Sequence, residues 1–183
     1  MAKRRFLDQE GVQAAIERLG DMVIRDGQKD LALVGIKRRG VPIAQRMCRY
    51  ITKAHGITLP CGTLDITLYR DDLSQVAENP LIKGGEFSFA LEGRRVVLID
   101  DVLFTGRTIR AAMDGLIRHG RPAKIELAVL IDRGHREFPI EANYAPHRIA
   151  TTMREVVKVH LEEIPGDGED GVEIVYIEQE ART

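Results

Sequence analysis

Apolar residues recur along this chain with two different periods, and the period changes where the element type should change. Between residues 8 and 25, Val12, Ala15, Ile16, Leu19, Met22 and Val23 repeat at three- and four-residue steps. That spacing predicts an amphipathic helix with Asp8 as its N-cap. Leu31 to Ile36 is a short uninterrupted apolar run, which suits a strand buried on both faces. After a glycine-containing turn, Pro42 sits in a helix's first turn, with Ile43, Met47 and Ile51 on one face. Leu64, Ile66 and Leu68 alternate with polar neighbours, as in a half-buried strand. Residues 70–86 hold Pro, Asn and a Gly pair without a sustained period and read as a long loop, a kind that is usually functional. Phe87, Phe89 and Leu91 alternate again and suggest a hairpin arm. Val96–Ile99 and Ile125–Ile131 are two more doubly buried runs, separated by a helix that turns Ile109, Ala112, Met113, Leu116 and Ile117 inward. Val157, Val159 and Leu161, then Val172, Ile174 and Tyr176, flank a Gly- and Asp-rich turn and predict an antiparallel C-terminal hairpin. Strands that alternate with helices in this way argue for an α/β domain with a mainly parallel sheet.

Composition narrows the class. The 183 residues suit one domain, and no repeat or linker divides them. With 27 basic and 28 acidic side chains the net charge is −1, which excludes a wholly basic nucleic-acid module and leaves room for a local basic face. The two cysteines, Cys48 and Cys61, make no disulfide framework and point to reduced thiols in a cytoplasmic protein. The five histidines lack metal-ligand spacing. No apolar run approaches the roughly 20 residues of a membrane span, and no apolar segment follows the basic N-terminus as it would in a secretory signal.

The segment VVLIDDVLFTGRT, residues 96–108, carries the sharpest chemistry. A strand delivers Asp100 and Asp101, a short loop supplies Thr105, Gly106 and Thr108, and a helix begins. Unpaired N–H groups and the positive end of the helix dipole favour an anion such as phosphate there. Gly106 lets backbone come close, and the threonine hydroxyls can donate. The two carboxylates suit a ribose diol on the same ligand, or a magnesium ion through water. Consecutive strand residues face opposite ways, so both acids reach one ligand only if the strand is ending there. A bare Asp–Asp is most often a solvated strand end and a bare Thr–Gly a simple cap; the whole string is far more specific. It is not a GxxxxGK[ST] loop, and no GxGxxG follows a strand.

The string resembles the phosphoribosyl pyrophosphate (PRPP) motif of type I phosphoribosyltransferases. Together with Leu64–Leu73 (LDITLYRDDL) and Val129–Glu137 (VLIDRGHRE), it resembles the PyrR family, pyrimidine-operon regulators with uracil phosphoribosyltransferase activity, from about residue 7 to 162. The resemblance implies the type I phosphoribosyltransferase fold, a mostly parallel five-stranded sheet flanked by helices, with a small hood and a C-terminal β-hairpin at about 155–178. It implies that Asp100 and Asp101 contact the ribose hydroxyls and that Thr105, Gly106, Arg107 and Thr108 cradle the 5′-phosphate. Lys37, Arg38 and Arg39 match the pyrophosphate loop, with a non-proline cis peptide at Lys37–Arg38. A buried strand ending in three successive cations independently suits a multiply charged anion. Residues 69–85 match a mobile loop that closes over PRPP, with Arg70 a candidate contact to pyrophosphate in the transition state. Asp132 and Arg133 match the uracil site.

The implied reaction is displacement at the ribose anomeric carbon, giving UMP and pyrophosphate with Mg2+ entering on PRPP, held by PRPP and water and by Asp100 or Asp101. Family members also bind a pyrimidine-operon leader mRNA when UMP is present, and form a homodimer or higher homo-oligomer. Arg25, His135, Arg136, His147 and Arg148 are the candidate RNA contacts here. Ile16, Glu17 and Gly20 stand where RNA-binding relatives place polar or basic groups, and Glu141 where they tend to have Arg. An RNA-binding regulator with vestigial catalysis and a type I enzyme for another base are the alternatives.

Overall fold

The computed structural model describes residues 3–67 and 84–177. Its elements run β1 (Lys3–Leu7), α1 (Gln9–Arg25), β2 (Leu31–Ile36), α2 (Gly40–His55), β3 (Cys61–Leu64), β4 (Gly85–Glu86) and β5 (Arg95–Leu103). α3 (Arg107–His119), β6 (Lys124–Asp132), β7 (His147–Arg148), β8 (Glu155–His160) and β9 (Gly171–Tyr176) follow. The main sheet has the order β4-β3-β2-β5-β6-β7. Five of its strands, β3 to β7 in that order, are parallel, and the two-residue β4 pairs antiparallel with β3.

The unbroken apolar runs become the central strands because both sheet faces are covered. Leu31, Leu33, Val97, Ile99, Ala128 and Leu130 point to one face, where α1 and α2 pack. Val34, Ile36, Val96, Leu98, Leu127 and Val129 point to the other, against α3. All six residues of β2 are buried. The N-cap of α1 is Asp8, whose side chain accepts the Gly11 N–H at 2.9 Å.

Chain ends build a second sheet of order β1-β9-β8. The predicted hairpin is β8 and β9, and its Val157, Val159, Val172 and Ile174 join the cluster under α1 and α2. β1 was not anticipated: Lys3, Arg4 and Arg5 pair antiparallel along β9, an arrangement their charge does not advertise.

Three local expectations are corrected. The strand expected through Leu68 stops at Leu64, because the Asp65 carboxylate accepts the Thr67 N–H at 3.0 Å and its hydroxyl at 2.6 Å, closing a turn. The hairpin arm at Phe87–Leu91 is confined to Gly85–Glu86; the Phe87 and Phe89 rings instead pack edge to face, 6.0 Å apart, against the α3 side of the core. Ile117 is 59% exposed, since the buried stripe of α3 is Ile109, Ala111, Ala112, Gly115 and Leu116. Among the described residues, no helix is long and apolar enough to cross a membrane.

Candidate active site

The C-terminal ends of β2 and β5 lie side by side, and their loops carry opposite charges into one place. β5 does not end at its acid pair; it runs on to Leu103. Both carboxylates nevertheless line the same cleft, and each accepts from the next residue's backbone N–H. Asp100 Oδ1 accepts the Asp101 N–H at 3.0 Å, and Asp101 Oδ1 accepts the Val102 N–H at 2.9 Å. Burial pushes the Asp100 carboxyl well above the ordinary range, and the neighbouring Asp101 adds like-charge repulsion. Asp101 is raised too by its burial, with Arg39 pulling it partly back.

Across the cleft, β2 delivers Lys37, Arg38 and Arg39, with the cis peptide at Lys37–Arg38. The three cations, the two acids and Thr108 line a cleft of about 400 Å3. α2 starts immediately after, and Gly40 is required there: a Cβ on it would lie 2.1 Å from the Ile99 carbonyl oxygen. That close approach keeps the cationic loop against the end of β5. Asp65 and Thr67, not predicted as site residues, line the same cleft. Burial works to raise the Asp65 carboxyl, but hydrogen bonds from Thr67 and the Lys37 ammonium, 3.8 Å away, hold it below the usual carboxylate range. They sit in the LDITLYRDDL segment, whose alternation by itself marks only a strand.

The other predicted positions divide. Gly106 takes φ +92° as the N-cap residue of α3, with no side-chain cap on that helix. Thr105 ties the loop down, its carbonyl accepting the Glu137 N–H at 2.9 Å and the Phe138 N–H at 3.1 Å. Arg107 turns to Glu137, with Nε donating at 2.7 Å, and lies over the Phe138 ring. Thr105, Gly106 and Arg107 are thus adjacent to the cleft in sequence, while Thr108 is the member that lines it.

Asp132 ends β6 and Arg133 follows it, and both are buried. They do not pair with each other. Asp132 meets Arg136 and, at 3.5 Å, Arg148. Arg133 stacks on Phe104, 4.1 Å from the ring centre, while Nη2 donates to the Thr152 carbonyl at 2.9 Å. Arg136 also donates to the Ile140 and Phe104 carbonyls, so it braces this loop. His135 contacts the Thr151 carbonyl, and His147 packs edge-on against Phe6. His135, Arg136, His147 and Arg148 therefore gather around the end of β6. Arg25 is set apart, at the far end of α1, where Arg95 at the start of β5 reaches the Gly27 carbonyl. Arg70, with most of the 69–85 loop, lies outside the described residues.

A larger cleft of about 630 Å3 opens between α1 and α2. It contains none of the predicted residues, so chemistry rather than size selects the smaller one.

A family description, phosphoribosyl transferase domain, matches residues 4–163. The "Bifunctional protein PyrR" of Pelotomaculum thermopropionicum is 49% identical over 175 residues, covering 94% of this chain and 96% of that protein. The chain belongs to the PyrR family. The Deinococcus radiodurans protein of the same name is 48% identical, covering 94% of each chain. Solved structures agree on the fold at much lower identity. The HGPRT-ase of Leishmania tarentolae in complex with GMP superposes with a TM-score of 0.69 at 16% identity, covering 97% of both chains. A hypoxanthine phosphoribosyltransferase from Staphylococcus aureus gives 0.63 at 22% identity, covering 84% of this chain and 81% of that one.

Proposed function

We propose that this chain transfers the phosphoribosyl group of PRPP to uracil, forming UMP and pyrophosphate, and that UMP-dependent binding of a pyrimidine-operon leader RNA is its second activity. The observation that carries the catalytic reading is the single cleft in which Lys37, Arg38 and Arg39 face Asp100, Asp101 and Thr108. A sugar bearing a diol and multiply charged phosphates needs that combination of acceptors and cations.

In this reading uracil N1 attacks the anomeric carbon, the bond to pyrophosphate breaks, and the N1 proton is released. Lys37–Arg39 take up the charge growing on pyrophosphate, and the acid pair holds the ribose hydroxyls in place. The N–H groups at the start of α3, with Thr105, Gly106, Arg107 and Thr108, receive the 5′-phosphate. Asp132 and Arg133 form the wall for the base, and Arg70 contributes to the pyrophosphate site. Among the described residues no cluster of three or more His, Cys, Asp or Glu could hold a metal ion. The acid pair facing the three cations fits magnesium carried on PRPP oxygens and water, with Asp100 or Asp101 beside it. When bound, magnesium supplies neutralising charge to pyrophosphate. The RNA reading is favoured by the exposed Arg148, next to His147 and held at the end of β6 by Asp132, and association into a homodimer or higher homo-oligomer belongs to the same proposal.

The test is UMP formation from uracil and PRPP with Mg2+, in competition with other bases. Uracil should be used preferentially, and Asp101→Asn should lower kcat/KM by about tenfold or more. Preferential use of a purine or of orotate would overturn the uracil assignment. A gel shift of leader RNA that strengthens with UMP and weakens with salt supports the second activity; no shift removes it.

A further inference from the structure

Between β8 and β9 lies the sequence Leu161–Glu–Glu–Ile–Pro–Gly–Asp–Gly–Glu–Asp170, which the turn residues mark only as a hairpin connection. In the structure it is bolted to α2. Asp167 grips Arg39 side-on: Nε donates to Oδ2 at 3.0 Å and Nη2 to Oδ1 at 2.8 Å. Seven residues on, two turns along the same helix face, Arg46 is 8% exposed and is held by Asp170 and by Glu163 at 2.6 Å. Arg39, the N-cap residue of α2, and Arg46 within the helix thus lie two turns apart on one side, and both find carboxylates on this one segment. Asp167 is itself fixed. Its Oδ2 accepts the Leu161 N–H at 3.3 Å, its own N–H donates to the Ile164 carbonyl at 3.1 Å, and it is 10% exposed.

A guanidinium has two hydrogen-bonding edges. Asp167 occupies the edge formed by Nε and Nη2, which leaves the terminal edge for another anion, and Arg39 lines the cleft beside Asp100 and Asp101. An arginine on a loop otherwise samples many rotamers, and ordering it costs affinity each time a ligand binds.

We infer that Asp167 is a positioning residue: it holds the Arg39 guanidinium ready for the pyrophosphate of PRPP, so that the C-terminal hairpin, distant in sequence, completes the anion site. This rests on the reading of Lys37–Arg39 as the pyrophosphate loop. The bidentate, charge-assisted contact fixes both the position and the plane of the guanidinium, and the Arg46 clamp keeps the carboxylate from drifting away.

The experiment compares the 183-residue wild type, Asp167→Asn, Asp167→Glu, Asp167→Ser, Arg39→Ala and the double variant Arg39→Ala/Asp167→Asn. It measures the KM for PRPP and the Kd for inorganic pyrophosphate with Mg2+. Asp167→Asn should weaken both by about tenfold, and Asp167→Glu should recover part of the loss. In the Arg39→Ala background the same change should add less than about twofold, because its effect runs through Arg39. Asp167→Ser supplies a hydroxyl oxygen to accept from the Leu161 N–H and gives the same answer if the Asn variant fails to fold. Asp167 variants that bind pyrophosphate like the wild type, beside an impaired Arg39→Ala, would overturn the positioning role alone. An undiminished loss in the Arg39→Ala background would do so too. Wild-type pyrophosphate affinity in Arg39→Ala would overturn the reading of the loop, and the inference with it.

Discussion

Asp100 is placed at a cost to the free protein. It is 7% exposed with a second carboxylate as its neighbour, and both facts push its pKa upward in the fold. A group whose folded pKa lies above its unfolded value binds more protons when folded, so it destabilises the fold as pH rises through that interval. Asp100→Asn should therefore raise Tm near neutral pH while abolishing most turnover. The gain should shrink as pH falls and vanish once the carboxyl is protonated in both states, near pH 3 or below. Melting curves at a series of pH values check this; a Tm lowered at neutral pH would contradict it. The paired acids and Thr108 were legible in the sequence because a strand, a short loop and a helix start impose their geometry locally. Asp65 is not legible as a site residue from the alternation alone, since only the turn shows that its carboxylate closes back on Thr67.

For the elements, junctions decide more than interiors. The interior of β2 coincides with its apolar run, and α1 with its period. The junction between β2 and α2 depends on one glycine, because the helix start crosses directly over β5. Gly40→Ala would set a methyl against the Ile99 carbonyl, so backbone must move. Overpacking of this kind costs about 1–3 kcal/mol, or a Tm lower by several degrees in a chain of this size. The displaced cations should raise the KM for PRPP by about fivefold or more, read in the same enzyme assay. β1 escaped notice for a related reason: an edge strand covered on one side needs little apolar sequence, and its pairing with β9 is set by where the chain ends meet.

Over the whole molecule, the two sheets are joined by one apolar cluster and by Arg39 and Arg46, at the start of α2 and within it. Arg46 is the stronger joint, because Asp170 beside it is 3% exposed. Burial disfavours the Arg46 charge, yet the hydrogen bonds and charges of Glu163 and Asp170 prevail and raise its pKa. Arg46→Ala would leave the Asp170 carboxylate buried without its partner, at a cost of about 3–5 kcal/mol. Denaturant titration should show the midpoint moving down while the slope stays constant, and a loss below about 1 kcal/mol would show that the joint is dispensable.

The sequence by itself determined the alternation of strands and helices, the two-faced central sheet and the acid–threonine string at the end of β5. Each of these is written in periods or spacings of a few residues, and local sterics and burial convert such patterns directly into structure. Only the tertiary structure decided which charges meet. Arg39 and Asp167 are 128 positions apart, Asp132 takes Arg136 and Arg148 rather than Arg133, and β1 lies along β9. Nothing in the local pattern ranks one acid above another as a partner for a given arginine. That choice falls to packing, which brings the loops of separate elements to within hydrogen-bond reach and excludes the water that would otherwise screen them.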